Sequence, residues 1–493
     1  MIRRFLFALV VVFALRSVFA SGGEFQDDLK ARRARAMEQM GPQSMLVLWS
    51  APAKVYSRDV DYKYRQDSNL YYLTGLDQEE TVLVLLPGAR ERKEMLFIKP
   101  RDPVREHWVG HFLTREEATA QSGIAAIYLT TEFESFITSL LSRTPYGSFR
   151  EQNEFDAFFR ALDSGQGRLF LILSPRPSLS EPLDPVHQFA NRIKERFFGF
   201  SIQDATNLLR DLRQIKTAYE QKNLEQSVEI SNDAHLAGMR TARPGVWEYE
   251  VEAALEYVYR SRGALGWGYP SIVASGPNAT VLHYQQGTRR MEAGDLLLVD
   301  AAANYQYLTG DITRTYPVSG TFSPPQKDIY RIVLAAQEQG IKAAKAGSKL
   351  ADIQKRTVEV IKDGLFKLGL VTDKSGDQYR TWSTHGACHW IGMDVHDTGD
   401  SSRPLAPGMA FVIEPGIYIR EGVLDNLPKT SENLSFIEKV RPVYEKYKNI
   451  GVRIEDSFLL TESGLKQLSA KVPRGIEEIE NYMKSQSSQH AGR

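Results

Sequence analysis

The segment LVDAAANYQYLTGDITRT, residues 298–315, constrains this chain more than any other. Residues 295–299 are mostly Leu and Val, a run that belongs in a core, yet the next residue is Asp300. A carboxylate at the end of a buried strand is costly unless it is paired or coordinated. Eleven residues further on, just after Thr309-Gly310 breaks the next segment, stands Asp311. An outgoing strand, a turn at Ala303-Asn304 and a returning strand would set the two carboxylates side by side, an arrangement suited to a pair of divalent cations. Aspartate at a strand end is more often a turn or helix cap, so the reading depends on partners elsewhere in the chain.

Those partners exist. His385, His389 and His396 fall within STHGACHWIGMDVHD, residues 383–397, and are three of the chain's nine histidines. The run MAFVIEPGIYI, residues 409–419, ends a buried strand at Glu414 before Pro415-Gly416, and GVRIED, residues 451–456, repeats the device at Glu455. Taken singly, Glu414 reads as a strand-terminal charge and Glu455 as a structural partner of Arg453. Four carboxylates at apolar strand ends with a histidine cluster between them are hard to explain as packing. A ligand set of carboxylates with one or two imidazoles is harder than a typical zinc site and suits Mn²⁺, with Co²⁺, Fe²⁺ or Zn²⁺ as alternatives. Two such ions sharing a carboxylate activate a water and polarise a carbonyl, which makes the reaction class metal-assisted hydrolysis. A nucleophilic role for Cys388 finds no local protease signature, and neither a His-Glu-x-x-His helix nor a Gly-x-Ser-x-Gly elbow occurs.

With these residues in place, the chain resembles the pita-bread metallopeptidases, and within them the aminopeptidase P (Xaa-Pro aminopeptidase) branch, over roughly residues 24–470. The resemblance rests on Asp300, on Asp311 in GDITRT, on His389 in CHWIG, on Glu414 in EPG and on Glu455 in RIED. It implies that Asp311 and Glu455 bridge two divalent metal ions, that Asp300 chelates one, and that His389 and Glu414 hold the other. It further implies that Glu414 takes the proton of the attacking water. His283 in GPNATVLHY and His396 in DVHD match the histidines that stabilise the substrate carbonyl and the tetrahedral intermediate. His385, Tyr418 and Arg453 match positions that line the substrate site. YRQDSNLYYLTG, residues 64–75, is similar to the N-terminal domain of this branch and of the eukaryotic type of prolidase, a domain that restricts access and forms oligomer contacts. Trp108 stands where some members direct an aromatic toward a neighbouring subunit, with core packing as the alternative. Two departures stand out: Ala302 replaces a customary Gly and would crowd its turn, and residues 420–450 carry an inserted loop.

The implied activity is removal of the N-terminal residue from peptides with proline second, a bond that resists general peptidases because proline lacks an amide hydrogen and has a fixed φ. The rivals are an Xaa-Pro dipeptidase and a non-catalytic pita-bread scaffold. The expected architecture is an α/β N-terminal domain over 24–201 and an α+β pita-bread catalytic domain over 206–475, ahead of a polar tail over 476–493. Within the catalytic domain, helices over 208–240 (broken once), 248–262, 325–346 and 350–368 alternate with strand-rich stretches, which suggests two related halves. A chain of 493 residues is too long for one ordinary core. Lys plus Arg equals Asp plus Glu at 61 each, and no basic stripe points to nucleic acid.

At the N-terminus, Arg3-Arg4, an apolar run and Val18-Phe19-Ala20 read as a cleavable signal peptide over residues 1–20, too short for a membrane anchor. Periplasmic or extracellular export of a homo-oligomer follows as an expectation, and the single cysteine forbids an internal disulfide.

Overall fold

The computed structural model describes residues 23–144, 146, 153–173 and 180–490. The expected signal peptide over 1–20 and the last three residues of the expected polar tail lie outside the described residues. The chain divides into two compact units, residues 1–213 and 214–493.

The first unit is built on a six-stranded mixed sheet. Its strand order is Ala126–Leu129, Glu94–Ile98, Val82–Leu85, Ser44–Trp49, Gly167–Leu171 and Phe200–Asp204. Ser44–Trp49 runs antiparallel to Val82–Leu85 and parallel to Gly167–Leu171. The two antiparallel central strands are buried at nearly every position, because helices cover both faces. Met45, Val47, Val84 and Phe97 pack there against Phe136, Leu140 and Phe158 of the covering helices. The YRQDSNLYYLTG stretch is a capped helix: the Asp67 carboxylate accepts the amides of Asn69 and Leu70 to start Ser68–Thr74, and Gly75 ends it at φ 68°.

The second unit is a helix pair followed by a three-stranded antiparallel sheet, twice over. Helices Ala218–Thr241 and Glu248–Ser261 precede the sheet of Ile272–Ser275, Leu296–Asp300 and Thr313–Pro317. Helices Pro324–Ala343 and Leu350–Leu368 precede the sheet of Ala410–Ile413, Asp456–Thr461 and Gly464–Gln467. The break expected in the first long helix is the Thr217 capping box, whose hydroxyl accepts the Glu220 amide while Glu220 accepts the Thr217 amide. The halves are stitched along one line. Thr315 Oγ1 donates to the Arg453 carbonyl at 2.9 Å, and the Glu455 amide donates to the Thr313 carbonyl at 3.0 Å. This seam lays the Glu455 segment against the strand that follows Asp311.

Two expectations need correction. The turn between Asp300 and Asp311 is not at Ala303-Asn304, which lie in the strand Ala303–Tyr305; the chain reverses at Gln306-Tyr307, with φ 51° and 64°. Residues 420–450 are not simply a loop. They contain the helix Ser431–Tyr447, whose Phe436, Val440, Tyr444 and Tyr447 enter the core.

Candidate metal centre

Each carboxylate arrives at the end of an apolar strand. Asp300 closes Leu296–Asp300 and pairs in register with Thr313, so Asp311 emerges beside it. Gly310 must be glycine for that approach, since a Cβ there would lie 2.5 Å from Val228 Cγ2. Ser457 then clamps Asp311, its hydroxyl lying 2.9 Å from the amide and 2.7 Å from the carbonyl. Glu414 follows the buried strand Ala410–Ile413, and Glu455 falls between Gly451–Arg453 and Asp456–Thr461. Asp300, Asp311 and Glu455 are only 8%, 4% and 1% exposed.

The structure brings together all five expected ligands. Asp300, Asp311 and Glu455 place carboxylate oxygens within 4.8 Å of one another, and His389, Glu414 and Glu455 form a second such group. His389 Nδ1 lies 3.0 Å from the Trp390 carbonyl, to which it donates, and this aims Nε2 into the cluster. Nε2 stands 3.5 Å from Asp311 Oδ2, 3.5 Å from Glu414 Oε1 and 3.8 Å from Glu455 Oε1. These separations are long for hydrogen bonds. They approach the spacing of two ligands on one ion, about 3.0–3.5 Å for metal–ligand bonds of about 2.1 Å.

The electrostatics point the same way. Burial raises the pKa of Asp311, and the charge of Asp300 raises it further; burial and then Asp311 do the same for Glu455, and burial and then Glu455 for Glu414. Burial would also raise Asp300, but the Arg453 guanidinium and the Tyr269 hydroxyl hold it below the ordinary carboxylate value. Arg453 Nη2 lies 2.6 Å from Asp300 Oδ2. Three buried carboxylates and the half-buried Glu414 thus share one guanidinium, and Glu455 Oε1 is buried with no hydrogen-bond partner. Hard oxygen donors in charge deficit, an unpartnered buried oxygen and an oriented imidazole fit divalent cations.

The remaining site residues form a rim and a support. His396 is exposed, its ring 4.4 Å from that of His389 at 83°, and one of its nitrogens falls within 4.8 Å of Asp311 and His389 ligand atoms. Burial, then the charges of His389 and His283, lower its pKa. His283 is exposed on the segment after the turn Gly276–Thr280. Arg453 and Tyr418 are buried: Arg453 Nη1 donates to the Tyr418 hydroxyl at 2.9 Å, and His385 Nε2 lies 2.7 Å from that hydroxyl. Burial, then Arg453, pulls His385 down to about 4, so it is a neutral imidazole at pH 7. Gly416 leaves room for this chain, since a Cβ there would sit 2.3 Å from Tyr418 Oη and 2.9 Å from His385 Nε2. Burial, then Glu414, pushes the Cys388 thiol up to about 12, which favours the unreactive thiol over the nucleophilic thiolate.

Comparison with known proteins agrees with this geometry. Residues 222–462 match the model of metallopeptidase family M24, and residues 29–146 match the aminopeptidase P N-terminal domain. An Xaa-Pro aminopeptidase of Haemophilus influenzae is 34% identical over 469 residues, 93% of this chain and 97% of that protein. The chain belongs to the aminopeptidase P branch of metallopeptidase family M24. It is therefore a metal-dependent aminopeptidase with a pita-bread catalytic domain. An Xaa-Pro aminopeptidase of Escherichia coli is 31% identical, covering 93% of this chain and 98% of its own. Among solved structures, Pseudomonas aeruginosa aminopeptidase PepP superposes with TM-score 0.77 at 32% identity over 94% of this chain and 99% of its own. Escherichia coli aminopeptidase P with the inhibitor Pro-Leu gives TM-score 0.79 at 30% identity over 94% and 99%.

Three residues of this aminopeptidase site escape a reading of the sequence. The Tyr269 hydroxyl lies 2.7 Å from Asp300 Oδ1 and 2.5 Å from Asp311 Oδ1, between the two carboxylates. Glu248, wholly buried, accepts from Ser275, Asn278, Tyr284 and Arg289 and so fixes the loop that carries His283. Lys216 pairs with Asp397 beside His396. A tyrosine in GWGYP gives no signal of its own; the S/T-x-x-E cap after Lys216 marks a helix start, not a contact.

Proposed function

We propose that this chain removes the N-terminal residue from peptides whose second residue is proline, using two Mn²⁺ ions. The carrying observation is the convergence of Asp300, Asp311, His389, Glu414 and Glu455 into two overlapping ligand groups that share Glu455. The names of the Haemophilus and Escherichia relatives support the Xaa-Pro preference. In this reading Asp300, Asp311 and Glu455 would hold one ion and His389, Glu414, Asp311 and Glu455 the other, with Asp311 and Glu455 common to both. When bound, the ions lower the pKa of a water and polarise the scissile carbonyl.

The chain's own residues do the rest. Glu414 takes a proton from the attacking water and passes it to the proline nitrogen as the C–N bond breaks, releasing the first residue and a peptide that begins with proline. His283 and His396, exposed at the rim, hold the carbonyl oxygen as it gains charge. Arg453, Tyr418 and His385 orient Asp300 and border the substrate. Glycine at 416 and the buried Arg453–Tyr418 contact support that assignment.

Homo-oligomer formation is supported by the helix Pro103–Val109, where Val104, Trp108 and Val109 are 74%, 82% and 60% exposed. Core packing within the chain is excluded for Trp108 by that exposure. Export through cleavage after Ala20 completes the reading; among the described residues no helix is long and apolar enough to cross a membrane. The deciding assay compares an Xaa-Pro-Xaa tripeptide with an Xaa-Pro dipeptide after Mn²⁺ loading. Faster turnover of the tripeptide is expected, and preference for the dipeptide would replace this reading with a dipeptidase.

A further inference from the structure

The loop of residues 390–400 carries His396 out from the metal-ligating His389, and its shape is set by a buried ion pair. Lys216 Nζ lies 2.9 Å from Asp397 Oδ2, with the two side chains 2% and 1% exposed. Asp397 in turn closes the loop. Its amide donates to the Trp390 carbonyl at 2.9 Å, and its Oδ1 accepts the Thr398 amide at 2.9 Å. The neighbouring Gln214 adds a reciprocal pair with Asp400, Nε2 to the carbonyl at 3.2 Å and Oε1 from the amide at 3.3 Å. The Lys216 amide is itself fixed by the Gly408 carbonyl at 2.8 Å. Gly392 has to be glycine for the lysine to reach the loop, because a Cβ there would meet Asp397 Oδ2 at 2.1 Å and Lys216 Nζ at 2.7 Å.

Such a pair is an expensive way to hold a loop together. Two ions taken out of water gain little net stability over well-packed apolar side chains, so a buried pair is better explained by the geometry it enforces. Here that geometry is the position of His396, the residue immediately before Asp397. We infer that Lys216 and Asp397 are positioning residues for His396, acting on the chemical step through that imidazole and not through the metal ions. The inference rests on the rim role proposed above for His396.

The test uses the full-length, Mn²⁺-loaded protein with an Ala-Pro-Ala tripeptide. Lys216→Met alone removes the lysine cation from a buried carboxylate and risks the fold, so the decisive variant is Lys216→Met/Asp397→Asn, which removes both charges and keeps both volumes. Thermal midpoint, bound Mn²⁺ per chain, KM and kcat are read for this variant, for His396→Ala and for the triple variant. The expectation is a folded protein with parental Mn²⁺ content and KM, and kcat lower by roughly 10- to 100-fold. No further loss is expected in the His396→Ala background.

A kcat within twofold of the parent would overturn the inference, as would a loss that multiplies with that of His396→Ala. A fall in bound Mn²⁺ that tracks kcat would overturn it too, placing the effect at His389. If His396→Ala itself leaves kcat unchanged, the rim role fails and the inference falls with it, a result distinct from the others.

Discussion

Two buried charge clusters lie one residue apart on the same seam, and they are built in opposite ways. Arg314 and Asp456, both fully buried, meet at 2.7 Å. The rest of the guanidinium donates to the carbonyls of Thr313, Glu455, Val472 and Pro473, while Asp456 also accepts from Ser469 and Gln337. Charge balances and the donors are spent. Thr313 and Glu455, each one residue earlier, bond to each other at 2.7 Å on the other side, since successive strand residues face opposite ways. There Glu455 joins Asp300, Asp311 and Glu414 against the guanidinium of Arg453 and the imidazole of His389. The balanced cluster joins the two halves of the unit. The unbalanced one is in deficit by the charge that cations supply, at the cost of stability until they bind.

The contrast is broken or sharpened most strongly by neutralising one member of each cluster. Glu455→Gln or Asp311→Asn is expected to lower kcat/KM by about 10³-fold, the worth of several kcal/mol of metal-borne charge stabilisation. The same variants should raise the thermal midpoint of the metal-free protein, because they relieve repulsion. Arg314→Met should do the reverse, destabilising metal-free and metal-loaded protein alike by about 3–5 kcal/mol in denaturant titrations. Should both substitutions shift the metal-free midpoint in the same direction, the two clusters are not different in kind.

A smaller effect concerns Tyr269. Tyr269→Phe removes the hydroxyl between Asp300 and Asp311 and should cost about tenfold in kcat. Unchanged kinetics would make that contact incidental. The mildest prediction is in pH. The raised pKa values of Asp311, Glu414 and Glu455 give the metal-free fold stability that is present below the ordinary carboxylate range and lost as pH rises through the raised values. Asp300, whose pKa is lowered, contributes stability that is present above its ordinary value and lost as pH falls. Within the cluster three groups outweigh one, while His385, lowered to about 4, adds stability as pH rises through that value, so the cluster's share is read as a difference: as pH climbs from about 4 toward neutrality, the metal-free midpoint of the parent should fall relative to that of Glu455→Gln, and Mn²⁺ should abolish that relative fall. A parent midpoint that rises relative to Glu455→Gln over this range would contradict the account.

The candidate carboxylates that cluster were legible because strand period and burial leave little choice: an apolar run that ends in a carboxylate before a turn announces an unusual residue. The helix pairs were legible from amphipathic spacing, including a single break within 208–240, whose place before Ala218 the structure supplies. What escaped was set by tertiary context. Gln306 and Tyr307 adopt the left-handed conformation that turn chemistry reserves for Gly or Asn, so nothing in Gln-Tyr marks the reversal. Pro442 sits inside Ser431–Tyr447 and disguises a helix as a loop; Tyr444 holds that helix in place, stacking on Trp382 at 5.9 Å between ring centres. Tyr269 reaches the centre from 31 residues before Asp300, and Lys216 reaches Asp397 across 181. Partners so distant leave no local pattern. Ala302, expected to crowd its turn, is buried with its carbonyl accepting the Gly268 amide at 2.8 Å, beside the residue that places Tyr269.

The central claim is that the acidic cluster is a two-cation site, and anomalous diffraction from crystals grown with Mn²⁺ tests it most directly. Two peaks are predicted, one among Asp300, Asp311 and Glu455 and one among His389, Glu414, Asp311 and Glu455. A single peak, or none with all four carboxylates in place, would contradict it.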